Sequence, residues 1–309
     1  MTTQFNTSNL GQRFDPDAKD FCAANMAYLA HCAQAIYKPE SDCKDAIGEI
    51  DSEIVQGTNM RFVHSRTTGT EGFIAGDQKK IIIAFRGTSE IKDWLTDAAT
   101  IQKSFSAVLN IGKVHSGFFR SLNSVWSIIV EHLEELQTQD QPIWITGHSL
   151  GGALAALAYA TLRLQEPKYE LAGAYTFGQP RIGNSTMCEA FDADAKHRFF
   201  RVVNNNDIVP RVPSKLIRKG LSIATFAARA IHDVDSYEDM GTQLYFDANG
   251  KLIHDATFMD RLAGRFEGYK NNLLNGKINL DSIEDHSMTD YRNLAMSELY
   301  DELNKKDKN

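Results

Sequence analysis

The stretch "WITGHSLGGALAALAYA", Trp144 to Ala160, decides the reading of this chain. Ile143, Trp144 and Ile145 form an apolar run of the kind that makes a buried strand. The alanine-rich run from Ala153 has the character of a buried helix, and no turn spacer separates the two. A strand that reverses into a helix within a few residues needs a sharp, strained backbone. Gly147 and Gly151 remove the side chains that would clash there. The same geometry lifts Ser149 onto the tip of the turn, above a helix N-terminus. This is the G-x-S-x-G elbow. The five-residue pattern is short enough to arise by chance, so its meaning depends on whether the rest of the chain supplies a base, an acid and an anion-stabilising loop.

The bulk numbers bound the alternatives. The chain has 309 residues, enough for one large core. Its hydrophobic content of 42% and charged content of 24% are those of an ordinary globular protein. The formal net charge of −7 argues against a nucleic-acid binder. No apolar run is long enough for a transmembrane segment. The start "MTTQFNTSNLGQRFD" has no basic region followed by an apolar core. No signal peptide is therefore visible, and the expected location is cytoplasmic, or exported without such a leader. The cysteines, Cys22, Cys32, Cys43 and Cys188, form no C-x-x-C pair. They read as reduced packed thiols, with a Cys32–Cys43 bridge as the alternative. The sequence carries no signal for oligomeric state.

Along the chain, residues 17–37 read as a helix with the apolar stripe Phe21, Met26, Leu29 and Ile36. "RFVHS" and "GFIAG" read as strands, and "GDQKK" turns into the buried strand "IIIAFR". Residues 118–136 have helical period. The strand–elbow–helix unit comes next. "LAGAYTFG" is another buried strand, followed by the Gly/Pro loop "GQPRIGN". "HRFFRVVNNNDIVP" is a strand with a loop behind it, and "LYFDANGKLI" is a hairpin with an Asn-Gly turn. Helices are expected at 257–274 and 288–303. Strands alternating with helices predict an α/β fold with a mainly parallel sheet flanked by helices. No linker or repeat divides the chain, so 1–309 is expected to be a single domain.

A serine hydroxyl becomes nucleophilic only when a base removes its proton, and a carboxylate must hold that base. In α/β-hydrolases the order along the chain is Ser, then acid, then His. Asp207 follows the strand "FFRVV", where its carboxylate would face the carboxyl edge of the sheet. Alone it could equally be a turn residue bonding its own backbone. Asp192 and Asp194 read as solvated residues of a surface helix, and Asp233 and Asp235 have a less defined context. Three histidines follow Asp207. His254 closes the hairpin, His232 ends a basic apolar segment, and His286 sits in a loop that opens the last helix. Position favours His286 and leaves the others open. His148 and His115 precede the acid and read as structural. The oxyanion donors expected are the N–H of Leu150, the residue after Ser149, and Thr88, in the loop after "IIIAFRG". Thr88 could also cap a helix beginning at Ile91.

Together these residues resemble the class 3 lipases. The motifs "AFRGTSEIKDW", "VHSGF", "ITGHSLGGALA", "TFGQPRIGN", "RVVNNNDIVPRVP" and "DHSMTDY" occur in family order. The resemblance implies an α/β-hydrolase fold, with the nucleophile on Ser149, the acid on Asp207, the base on His286 and the oxyanion residues on Thr88 and Leu150. It implies a lipid ester substrate at a lipid–water interface, and neither metal nor organic cofactor. It also places a mobile lid near 88–100, where Ile91, Trp94 and Leu95 share an apolar helical face.

The chain departs from the family after "VPRVP". There "SKLIRKGLSIATFAARAIHDVD" intervenes, and Asp239 in "YEDMG" stands where His is common. The stretch near 211–232 is basic and apolar. It reads either as a buried helix with a solvated basic edge or as a flap that docks on anionic lipid. A feruloyl esterase, a phospholipase and an acyltransferase could use the same triad. A silent interaction module could keep the fold without the chemistry.

Overall fold

The computed structural model describes residues 6–88, 102–104, 111–212, 238–254 and 285–307. Its strands are β1 (Met60–Ser65), β2 (Thr70–Gly76), β3 (Ile81–Phe85), β4 (Gln102–Ser104), β5 (Lys113–His115), β6 (Ile143–His148), β7 (Leu171–Phe177), β8 (Phe199–Asn204), β9 (Thr242–Phe246) and β10 (Leu252–His254). Its helices are α1 (Leu10–Arg13), α2 (Ala23–Ala35), α3 (Glu40–Ile50), α4 (Ser116–Asn123), α5 (Trp126–Leu136), α6 (Leu150–Gln165), α7 (Ser185–Ala195) and α8 (Met288–Lys306), with a 3₁₀ turn at Val209–Arg211.

One eight-stranded sheet has the order β1-β2-β3-β6-β7-β8-β9-β10, and β4 and β5 form a separate ribbon. From β3 to β9 every neighbouring pair is parallel. The sheet is antiparallel only at its margins, β1/β2, β2/β3 and β9/β10. This is the mainly parallel α/β sheet expected from the sequence. The unbroken apolar run of β3 follows from burial on both faces. Ile82 and Ala84 join a cluster with Trp144, Tyr175 and Phe200 that α2, α3 and α8 cover. Ile81, Ile83 and Phe85 join the opposite cluster, with Ile145, Ala174 and the inner faces of α4 to α7. Consecutive strand residues point to opposite faces, so a strand covered on both sides has no polar positions to spare.

Several local expectations are corrected. The helix expected over 17–37 begins only at Ala23. The backbone before it is taken by sheet aromatics: Trp144 Nε1 donates to the Pro16 carbonyl at 3.0 Å, and the Cys22 amide donates to the Tyr175 hydroxyl at 2.8 Å. Nor is α2 striped, since Ala27, Ala30 and Ala33 are as buried as Met26 and Leu29. The helix expected over 118–136 is two helices. At the break the Ser124 hydroxyl donates to the Ser121 carbonyl at 2.7 Å and bonds Thr68 Oγ1 at 2.7 Å, a side-chain alternative to helix continuation. Asp194 is not simply solvated. It accepts from the Tyr159 hydroxyl at 2.6 Å and from Arg163 at 2.8 Å, two residues one turn apart on α6.

Cys32 and Cys43 are both free thiols, so the Cys32–Cys43 bridge does not form. Burial pushes the Cys43 thiol up to about 12, against an opposing pull from Lys38. No helix among the described residues is long and apolar enough to cross a membrane. The helix expected at 257–274, and 213–232 of the basic segment, lie outside the described residues.

Candidate active site

The carboxyl ends of the parallel strands assemble the site, each strand delivering one piece. β6 ends at His148, and Ser149 follows with φ 57° and ψ −128° before α6 begins at Leu150. A non-glycine residue held there is strained, as the elbow requires. The flanking glycines explain how it is tolerated. A Cβ on Gly147 would fall 2.3 Å from the Gly151 carbonyl oxygen, and one on Gly151 would fall 2.2 Å from the Phe85 carbonyl oxygen. The turn closes onto itself and onto the end of β3, with no room for a side chain at either position.

β8 leads to Asp207, the candidate acid. Asn205, in the turn behind it, has φ 32°, a conformation that Asn adopts more readily than most residues. Asp207 follows, fully buried. Its Oδ1 accepts from the Val209 amide at 2.9 Å. Its Oδ2 meets His286 Nδ1 at 2.7 Å and accepts from the Tyr291 hydroxyl at 2.6 Å. A carboxylate can only accept here, so the proton between Asp207 and His286 sits on Nδ1. In the neutral ring the other nitrogen, Nε2, then keeps its lone pair. His286 Nε2 and Ser149 Oγ are both buried, and neither has a hydrogen-bond partner among the described residues.

The asparagine turn also holds the loop that carries His286, the candidate base. Asn204 Nδ2 donates to the Asp285 carbonyl at 2.9 Å, and the Asn206 amide donates to Asp285 Oδ2 at 3.1 Å. Tyr291 accepts from the Asn204 amide at 3.0 Å while donating to Asp207. Burial raises the Tyr291 phenol well above its ordinary value, and the neighbouring Asp207 carboxylate pushes the same way. It is therefore a hydroxyl donor throughout the usual pH range.

β7 contributes Gly178, with φ 57°. A Cβ there would fall 2.7 Å from His286 Cε1 and 2.9 Å from Asp207 Oδ2, so the chain passes directly against the His–Asp pair. β3 contributes the loop carrying Gly87 and Thr88. A Cβ on Gly87 would lie 3.2 Å from Ser149 Cβ, which puts this loop beside the elbow. Leu150, as the first residue of α6, carries one of the amides without a partner inside the helix.

Asp207 and His286 are thus in direct contact, and His148, the residue before Ser149, bonds the His286 carbonyl at 2.9 Å, while Ser149 Oγ and His286 Nε2 make no hydrogen bond to each other. Thr88 follows the Gly87 that lies against Ser149, and Leu150 opens α6 directly after it. His254 is elsewhere. It ends β10, is exposed, and packs edge-on against Phe21 at 4.7 Å between ring centroids. His115 is structural, its Nδ1 accepting from the Gly117 and Phe118 amides at the start of α4. His232, Asp233, Asp235, and the lid residues Ile91, Trp94 and Leu95 lie outside the described residues. Sequence reasoning missed Gly178 and Tyr291. Among the described residues no group of three His, Cys, Asp or Glu side chains is placed to hold a metal ion.

Comparison with known proteins agrees with this architecture. Residues 82–217 match the family model for class 3 lipases. A secreted mono- and diacylglycerol lipase of Fusarium solani is 34% identical over 199 residues, covering 62% of this chain and 55% of the relative. A lipase of Rhizopus oryzae is 30% identical over 198 residues, covering 62% and 48%. The chain spans about half the length of the curated relatives it matches. Among solved structures, the mono- and diacylglycerol lipase of Aspergillus oryzae superposes with a TM-score of 0.58 at 24% identity, covering 76% of this chain and 86% of that one. The fold is that of the α/β-hydrolases, and the central segment that carries the elbow is similar to the class 3 lipases.

Proposed function

We propose that the protein is a serine carboxylester hydrolase acting on glycerides or similar lipid esters through an acyl-enzyme on Ser149. The observation that carries this reading is the buried His286–Asp207 pair, on the same sheet edge as a strained Ser149, with neither His286 Nε2 nor the Ser149 hydroxyl hydrogen-bonded among the described residues. Asp207 holds the tautomer in which Nε2 can take the serine proton. The alkoxide then attacks the ester carbonyl. The Leu150 amide and Thr88 receive the developing oxyanion, an interaction whose loss typically costs ~10²–10³ in turnover. Protonated His286 returns its proton to the leaving alcohol. Water, activated by the same Nε2, releases the acid and frees Ser149.

The lipid-ester class rests on the relatives, whose names are those of mono-, di- and triacylglycerol lipases. A lid at 88–100 carrying Ile91, Trp94 and Leu95 is part of the same proposal, and so is docking of the 211–232 segment on anionic lipid. Both rest on sequence pattern. Hydrolysis of p-nitrophenyl esters from C2 to C16, with and without a serine-directed phosphonate, tests the chemistry and the chain-length preference together. Ser149→Ala and His286→Ala should each lower turnover by roughly 10⁴–10⁶ with the circular dichroism unchanged, while His254→Ala should not. An active Ser149→Ala enzyme ends this reading.

A further inference from the structure

We propose that Tyr37 and His148 form a buried hydrogen-bonded strut that sets the position of the base relative to the nucleophile elbow and the oxyanion loop, making both of them positioning residues of the site. The inference rests on the activity reading above for its kinetic consequences and on geometry alone for its existence.

The His148 ring bridges two segments far apart in the chain. Its Nε2 lies 2.9 Å from the backbone carbonyl oxygen of His286, and its Nδ1 lies 2.9 Å from the Tyr37 hydroxyl. Elementary hydrogen-bond chemistry fixes every proton. A carbonyl oxygen can only accept, so Nε2 of His148 carries the hydrogen. Nδ1 of a neutral ring is then bare, so the Tyr37 O–H must donate to it. The ring is almost wholly buried, at 3% exposed. Burial drives its pKa well below the ordinary histidine value, and the neighbouring His286 pushes the same way, against the bond to the His286 carbonyl. His148 is thus held neutral, in one tautomer.

Each end of the strut is attached to a part of the site. His148 is the residue immediately before Ser149, and the carbonyl it grips is that of His286 itself. The Gly87 backbone, one residue before Thr88, presses on the joint. A Cβ on Gly87 would fall 2.1 Å from the Tyr37 hydroxyl oxygen and 2.6 Å from the His148 carbonyl oxygen. Tyr37 in turn sits just beyond α2, which is tied to the helix following His286. Gln34 donates to the Thr289 hydroxyl at 2.9 Å and accepts from Arg292 at 2.7 Å. Among the described residues no sheet ladder joins the His286 loop to β6, so the Tyr37–His148–His286 chain is a direct polar link between them. An apolar ring could fill the same volume, but it could not specify the distance between nucleophile and base.

Three substitutions and one spectrum test the strut. In a ¹⁵N-histidine spectrum of the whole protein, His148 should appear as the Nε2–H tautomer, with an Nδ1 resonance that moves in Tyr37→Phe. Tyr37→Phe should lower kcat on p-nitrophenyl butyrate about tenfold, leave KM within about twofold, and slow phosphonylation of Ser149 in parallel. His148→Gln keeps an N–H donor near the Nε2 position, whereas His148→Asn is too short to reach the His286 carbonyl. The Gln variant should therefore retain about ten times more kcat than the Asn variant, at equal folded content by circular dichroism. An Nδ1–H tautomer for His148 overturns the proposal whatever the activity. So does a set of variants that lose thermal stability while kcat per folded molecule stays at the wild-type value. A wild-type protein that hydrolyses no ester, yet shows the Nε2–H tautomer and its dependence on Tyr37, supports the strut and overturns the reading of activity instead.

Discussion

Gly178→Ala puts a single methyl group against the centre of the site, and the structure sets its cost. The position has φ 57°, where an L side chain is disfavoured by ~1–2 kcal/mol. The new carbon would stand 2.7 Å from His286 Cε1, 2.8 Å from His286 Nδ1 and 2.9 Å from Asp207 Oδ2. Carbon atoms in contact sit at about 3.5–4.0 Å, so the imidazole or the β7 end must move by roughly 1 Å. Both partners are fully buried and hydrogen-bonded, so neither can swing into open space. Overpacking of this kind costs ~1–3 kcal/mol, for a total of roughly 2–5 kcal/mol with the backbone strain. A 1 Å misplacement of a catalytic group costs on the order of 10² in rate. The expected outcome is kcat down about a hundredfold on a soluble p-nitrophenyl ester, and a lower denaturant midpoint. Gly69→Ala is the control. It shares a positive φ of 66° but has nothing within 4 Å of the added carbon, so it should lose some stability and no kcat. A Gly178→Ala enzyme with wild-type kcat and midpoint would refute the placement of β7 against the His–Asp pair.

Tyr291→Phe removes one donor from Asp207 and strands the Asn204 amide. Denaturant unfolding should show a loss of roughly 2–5 kcal/mol, while kcat falls less than about tenfold because His286 and Val209 still hold the carboxylate. His31 supplies a pH dependence. Burial lowers its pKa to about 4, with Arg292 pushing the same way and the bond to the Ala27 carbonyl opposing. The unfolded chain therefore takes up the proton first as pH falls. Stability should drop between about pH 6.5 and 4, by at most ~3 kcal/mol, and His31→Gln should flatten that slope in midpoints measured across this range. For the lid proposal, specific activity should rise as an ester substrate passes its solubility limit, and Trp94→Ala should weaken that rise more than it lowers activity on a soluble ester. A smooth hyperbolic curve in both proteins would leave 88–100 as an ordinary docked segment.

Most of the sheet was legible because its strands obey local rules. "IIIAF" and "LAGAYTF" are continuous apolar runs of strand length bounded by turn residues, which is how strands covered on both faces read. Helix boundaries were less legible where tertiary contacts outweigh period. The helical pattern of 118–136 carries no sign that Ser124 will bond Thr68, a residue 56 positions away. The period of 17–37 likewise carries no sign that Cys22 will be held by Tyr175. In both places a long-range polar contact interrupts an acceptable local helix.

The site divides along the same line. Ser149 and Asp207 stand where the backbone itself is unusual, at a strained elbow and beside a left-handed Asn205, and such backbone demands leave a trace in residue choice. His286 carries no such trace. Position left it beside His232 and His254, and it was singled out by its place in an ordered set of motifs. Tyr37 and Tyr291 are further from legible, because an ordinary tyrosine acquires its role only from what folding brings to its hydroxyl. Tyr37 meets His148 across 111 residues, and Tyr291 meets Asp207 across 84. Gly178 lay within a quoted motif, yet "TFGQP" reads as a strand end, with nothing to say that a histidine from 108 residues further on will rest against its Cα. The groups proposed to do the chemistry were therefore more legible than the groups that hold them in register. Mutations at Tyr37, Gly178 and Tyr291 should accordingly impair the protein by displacing or destabilising a site whose reacting groups are all still present.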